Sequence, residues 1–127
     1  MGQWKKSTSE LISLHAELAS LYRCVNKPMF GFQVFFVNDN MFTGIYEDGI
    51  TLRLTENDRA EIMAQSDEIT PFTPLGRTMK EYVLVPEHLL SNKDFAQYWM
   101  DRSYAYVSSL PPKTKKEKKP KAQGKNQ

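Results

Sequence analysis

Apolar residues recur at three- and four-residue steps through Leu11, Leu14, Leu18, Leu21, Tyr22 and Val25, a spacing that places them on one stripe of a helix. Ser7 and Glu10 precede the stripe at the spacing of a capping box, in which two side chains satisfy free amides at a helix start. Asn26-Lys27-Pro28 stops the element, because proline lacks the amide and clashes with the preceding turn. The pattern predicts a helix over 8–25. The period then changes. From Phe32 to Leu54 the run FQVFFVNDNMFTGIYEDGITLRL is rich in β-branched and aromatic residues and is broken at Asn38-Asp39-Asn40 and at Asp48-Gly49. These breaks tolerate the positive φ of tight hairpins and leave strands of about five or six residues. Connections this short exclude parallel pairing, so the segment reads as a three-stranded antiparallel meander.

Thr55, with Asp58 three residues on, caps a short helix to about Ser66 whose apolar side is Ala60, Ile62 and Met63. The stretch PFTPLGRTMKEYVLVP follows, with Gly76 in a loop and Met79, Glu81, Val83 and Val85 alternating as in a fourth strand. That alternation puts Glu81 on an apolar face, either as a buried acid or, the reading we favour, at an edge where it reaches solvent. Ser91 and Asp94 suggest the cap of a last helix, whose Phe95, Tyr98, Trp99, Tyr106 and Val107 would cover one face of the sheet. Leu110-Pro111-Pro112 closes the fold. The expected architecture is α+β: an antiparallel sheet of about four strands, the meander plus one, flanked by an N-terminal helix, a short middle helix and a C-terminal helix.

The 127 residues suffice for one domain with a single core, and 40% hydrophobic with 25% charged residues is the balance of a folded chain. The net charge of +2 hides an asymmetry. Seven lysines, Lys113, Lys115, Lys116, Lys118, Lys119, Lys121 and Lys125, face a single acid from residue 113 onward, a net +6. The residues before them hold ten basic and fourteen acidic groups, a net −4. We therefore expect a folded domain over 1–112 and a disordered basic tail over 113–127. No apolar run approaches the roughly 20 residues of a membrane span and the N-terminus lacks a secretory pattern, so a cytoplasmic protein without membrane contact is expected. The lone Cys24 fits a reducing compartment.

Met29-Phe30-Gly31 ahead of an aromatic strand, the Asn38-Asp39-Asn40-Met41-Phe42 hairpin, Pro71-Phe72, Gly76-Arg77-Thr78-Met79 and the closing Leu110-Pro111-Pro112-Lys113 occur here in an order and spacing that resemble the TfoX N-terminal domain family. The resemblance runs from about Ser9 to Lys113. It implies a compact α+β domain with a twisted antiparallel sheet. In the family's named members this domain belongs to a regulator of competence genes and is followed by a helical domain, where this sequence has its lysine tail.

Candidate chemistry is sparse. One cysteine and two histidines do not supply a metal site, and no catalytic set, cofactor site or paired carboxylates are expected. His15 falls on the first helix's apolar stripe and reads as a hydrogen-bonded packing residue, His88 as a surface residue and Cys24 as a small core residue. Gly76-Arg77 reads first as a left-handed turn with a surface ion pair; the alternative is a guanidinium offered to an anion. Met29-Phe30-Gly31 reads first as the turn from helix into sheet, packed by Phe30; the alternative is a hydrophobic recognition knob. Met79 joins these as a candidate interaction or structural residue. Three function classes follow. The leading one is a non-catalytic, TfoX-like regulatory module acting through an unidentified protein partner. The second is weak, sequence-independent nucleic-acid binding through the tail lysines, since the negative folded part would repel phosphates. The third is a small-ligand protein or enzyme with an anion site near Arg77, in a pocket between the sheet and the last helix. Homodimerisation through a sheet edge or the aromatic helix face stays open.

Overall fold

In the computed structural model, residues 7–29 and 31–112 are described. Thr8, in extended backbone, accepts the Leu11 amide on its hydroxyl at 3.0 Å and starts α1 (Ser9–Ala19). The cap is therefore Thr8 and not Ser7, whose hydroxyl instead donates to the Glu47 carbonyl at 2.6 Å. The helix also stops well short of Val25. Ser20 turns its hydroxyl back onto the Glu17 carbonyl at 2.7 Å, competing with further helix, and Tyr22 N donates to the Ala19 carbonyl at 3.0 Å. Leu21 and Val25, expected on the buried stripe, are 64% and 57% exposed. Val25, a β-branched residue, enters a short strand instead, β1 (Val25–Asn26).

The meander is present as β2 (Val34–Val37), β3 (Asn40–Tyr46) and β4 (Gly49–Arg53). Asn38 and Asp39 take the positive φ of the first hairpin, 52° and 67°. In the second hairpin Glu47 takes it, φ 55°, and Gly49 does not. Then come α2 (Glu56–Gln65), capped by Thr55 as expected, β5 (Thr70–Pro71), a 3₁₀ turn over Pro74–Gly76, β6 (Tyr82–Pro86), a second 3₁₀ turn over Glu87–Ser91, and α3 (Lys93–Ser109). The cap of α3 is Asn92, which accepts from Phe95 N at 3.1 Å, rather than Ser91 or Asp94. Strand β6 begins at Tyr82, so Met79 and Glu81 lie ahead of it. The sheet has six strands in the order β1-β2-β3-β4-β6-β5, antiparallel throughout. The two additional strands, β1 and β5, have two residues each, too few to show an alternating pattern.

Cross-strand register sorts the side chains between the two faces. Phe35, Thr43, Leu52 and Val83 form one row; Val34, Gly44, Thr51 and Leu84 form the next, on the opposite face. Helices α1 and α3 cover the first face, which we call inner: α3 lies across β2, β3 and β4, and His15 of α1 meets Phe35 and Thr43. Trp99, Met100 and Val107 of α3 and Leu11 and Leu18 of α1 fill the space between. The register slips between Phe35 and Phe36, where Thr43 and then Met41 are the partners, so Phe42 is an extra residue in β3. Phe42 and Thr43 thereby both turn inward and are fully buried, Phe42 against Tyr22 and Tyr104. Met41 and Gly44 are left on the outer face.

Helix α2 docks through Ile62, which is buried, while Ala60 is exposed. The carboxylate of Asp58, also buried, takes a two-pronged contact from Arg102 of α3, at 3.0 and 2.8 Å. After α3, the Pro111 carbonyl accepts from Asn40 Nδ2 at 3.0 Å, which ties the segment following the helix to the first hairpin. The tail over 113–127 and Phe30 lie outside the described residues.

At Gly49 a Cβ would stand 2.5 Å from the Val85 carbonyl oxygen, a backbone atom of the neighbouring strand. Gly49→Ala is therefore expected to destabilise the fold by about 1–3 kcal/mol in urea denaturation, through backbone displacement in the sheet. A loss under about 0.5 kcal/mol would contradict that close approach.

Candidate functional site: a methionine-lined cleft on the outer face of the sheet

The outer face has no helix laid on it. In its place, the segment between β5 and β6 folds over part of the sheet and encloses a cleft of about 400 Å³. Met29, Met41 and Met79 line it together with Phe32, Tyr46 and Phe72. The three rings are in series, Tyr46 edge-on to Phe72 with centroids 5.0 Å apart and tilted against Phe32 at 5.9 Å. Thr51, Thr78 and Arg77 supply polar groups. Thr51 is internally satisfied, since its hydroxyl accepts from Gly44 N at 3.0 Å and donates to the Gly44 carbonyl.

The covering segment is held at both ends. Phe72 N donates to the Tyr82 carbonyl at 3.0 Å, Met79 N to the Phe72 carbonyl at 2.9 Å and Tyr82 N to the Met79 carbonyl at 3.1 Å. Between them Gly76 takes φ +80°, the left-handed turn expected of it, and Arg77 N closes the 3₁₀ turn on the Pro74 carbonyl. The surface ion pair expected for Arg77 is not formed: among the described residues no carboxylate lies within pairing distance of its guanidinium. Other arginines are engaged, Arg53 with Glu81 at 2.8 Å, Arg102 with Asp58 and Arg59 with the Leu54 carbonyl.

Met29, Arg77 and Met79, far apart in sequence, thus meet at one cleft. It lies on the side of the sheet away from α3, not between the sheet and the last helix. Gly31, φ +82°, completes a tight turn in which Met29 and Phe32 exchange both backbone hydrogen bonds, and it borders a neighbouring depression. The lysines Lys113, Lys115, Lys116, Lys118, Lys119, Lys121 and Lys125 lie outside the described residues, as does the packing role expected of Phe30. The sequence reading missed Met41, Tyr46 and Phe72. For Met41 and Tyr46 the signal was alternation within the meander, which the extra residue in β3 scrambles at Met41; Phe72 lies outside the meander, directly after the two-residue β5.

Outer-face apolarity continues from the cleft toward the free edge of the sheet. Val25, Phe36 and Met41 stand in cross-strand register on β1, β2 and β3. Lys27 reaches over the Phe36 ring, 5.5 Å from its centroid.

The ionisable groups of the inner fold are committed elsewhere. His15 is fully buried: Gln33 Nε2 donates to its Nδ1 at 3.0 Å, which leaves the ring proton on Nε2, aimed at Thr43 Oγ1 3.2 Å away. Thr43 passes its own proton to the Thr51 carbonyl at 2.6 Å. Burial holds the imidazole neutral, with its pKa lowered to about 3. Glu81 is half-buried. Burial pushes its carboxyl up, but hydrogen bonds from Arg53 and Tyr106 (2.8 and 2.9 Å) and the charges of Arg53 and Arg59 outweigh this and hold it below the usual range. Cys24 is half-buried and burial pushes its thiol up, away from the reactive thiolate. His88 is exposed and pairs with Glu68 at 2.9 Å. Among the described residues no three His, Cys, Asp or Glu side chains group to hold a metal, and no helix is long and apolar enough to cross a membrane.

Compared with known proteins, residues 16–107 match the family defined by the TfoX N-terminal domain. No curated protein and no solved structure matches the chain.

The buried imidazole makes stability pH-dependent with a definite sign. The folded protein takes up this proton only near pH 3, the unfolded chain near 6.5, so between these values the folded state binds fewer protons. The contribution is present above pH 6.5 and is lost as pH falls toward 3, at up to about 1.4 kcal/mol per pH unit. Urea denaturation across this window should show a shallower pH slope for His15→Gln than for the unmodified protein; equal slopes would contradict the assignment.

Proposed function

The chain belongs to the TfoX N-terminal domain family, and from that premise we propose that it is a non-catalytic regulatory module that works by protein contact through the outer face of its sheet. The observation that carries this reading is the apolar row Val25, Phe36 and Met41, which runs from a free strand edge into the cleft. Large apolar side chains are exposed at that edge and at the cleft, Val25 at 57% and Met29 at 40%. Exposed apolar surface of this kind is what a partner buries, and methionines adapt to its shape. The short edge strand offers unpaired backbone groups beside it.

The non-catalytic part of the reading is supported by how the titratable groups are used. His15 is sealed and neutral, Glu81 is held by Arg53 and Tyr106, and Asp58 is held by Arg102, so each is committed to joining one element to another. A cytoplasmic setting belongs to the same proposal, supported by the single unpaired Cys24.

Affinity capture from native cell extract tests it, with the full chain and a Val25→Lys/Met29→Lys variant as paired baits. Both positions are exposed, so the variant should melt with the unmodified protein while recovering about tenfold less of its partner. Equal recovery by both baits, or no protein enriched by either, contradicts the reading.

A further inference from the structure

We propose that the outer-face cleft is a binding site for a small amphipathic monoanion, a carboxylate on an apolar chain or ring, with the carboxylate on Arg77 and the apolar body among the three methionines. The cleft's volume of about 400 Å³ falls in the range of metabolite pockets. Its walls set the ligand's body. Met29, Met41 and Met79 are unbranched and polarisable, and with Phe32, Tyr46 and Phe72 they offer apolar contact from several sides. A fully polar ligand would leave these surfaces unsatisfied and lose its own hydration.

Arg77 sets the charge. Arg77 lines the cleft, stands on a segment pinned by the Phe72–Met79–Tyr82 backbone bonds, and has no carboxylate partner among the described residues. No acid is found among the described lining residues, so a cationic ligand has no counter-charge there. A single guanidinium with the Thr78 hydroxyl beside it suits one carboxylate, taken as a forked pair, better than a doubly charged phosphate, for which such sites gather several cations or a ring of backbone amides. Thr51 is already satisfied by Gly44 and forms part of the floor.

This site goes beyond protein contact and is tested separately from it: the contact reading is read as partner recovery by the Val25→Lys/Met29→Lys bait, this one as decanoate binding and its loss in Arg77→Gln, with Met29 belonging to both surfaces. The probe is decanoate, titrated into the full chain with methyl-labelled methionine and followed by NMR, with decanol as the uncharged match. Saturable one-to-one binding is expected, shifting the methyls of Met29, Met41 and Met79 and leaving Met100, which is fully buried on the other side of the sheet, unmoved. Decanol should bind about tenfold more weakly, and Arg77→Gln should weaken decanoate by about tenfold while leaving decanol unchanged. Arg77 is exposed, so an unchanged melting temperature shows that the variant is folded. The proposal is overturned if decanoate does not saturate by about 1 mM, if decanol binds as well as decanoate, if Arg77→Gln has no effect, or if the shifts fall outside the three cleft methionines.

Discussion

In β3 one residue more than β2 can pair decides what each side of the sheet is able to do. With Phe42 unpaired, Phe42 and Thr43 turn to the same side, and that side must accommodate both an aromatic ring and a buried hydroxyl. The helices meet this demand. Tyr22 and Tyr104 enclose the ring, and His15 donates to the hydroxyl within a chain of bonds from Gln33 to the Thr51 carbonyl. Buried polar groups are tolerated only when bonded, so this chain orients α1 over the sheet as well as packing it there. The same extra residue sends Met41 and Gly44 to the outer side, where they form part of an apolar surface with no helix over it.

The resulting division is chemical as well as spatial. Ionisable side chains of the inner fold and its rim are used as joints. Asp58 and Arg102 tie α2 to α3, and Glu81, just ahead of β6, ties the entry to that strand to β4 through Arg53 and to α3 through Tyr106. A histidine held neutral down to about pH 3 and a carboxyl held ionised by an arginine are poor proton-transfer groups near neutrality. The outer face has the opposite character: methionines and aromatics that adapt to what lies on them, and Arg77 without a carboxylate partner among the described residues. Recognition is the chemistry such a surface supports, which is why the proposed roles gather there.

Much of the fold was legible in the sequence because its signals are local. The period-3.6 stripe of α1, the Thr55 cap of α2, the Asn38-Asp39 turn and the meander all express backbone preferences that tertiary contacts reinforce. The end of α1 was not legible. Leu21, Tyr22 and Val25 continue the stripe arithmetically, yet Tyr22 is drawn to Phe42 and Tyr104 and Val25 to an edge strand, and neither partner lies nearby in sequence. The same limit hid β1 and β5, which exist only because a longer strand lies alongside. Of the site, Gly76 announced its left-handed turn, and Met29, Arg77 and Met79 stood out as motif residues. Their convergence depends on the sheet order, and the side of the sheet on which they meet depends on the extra residue in β3, which alternation alone does not reveal.

The central claim is that helices cover one side of the sheet while the other, only partly covered by the segment between β5 and β6, keeps an accessible methionine-lined cleft. Methionine-methyl NMR in the presence of a soluble nitroxide tests it most directly. The methyls of Met29, Met41 and Met79 should broaden strongly while that of Met100, fully buried beneath α3, stays sharp. Protection of Met41 and Met79 equal to that of Met100 would mean that the outer face is closed, and would contradict the account.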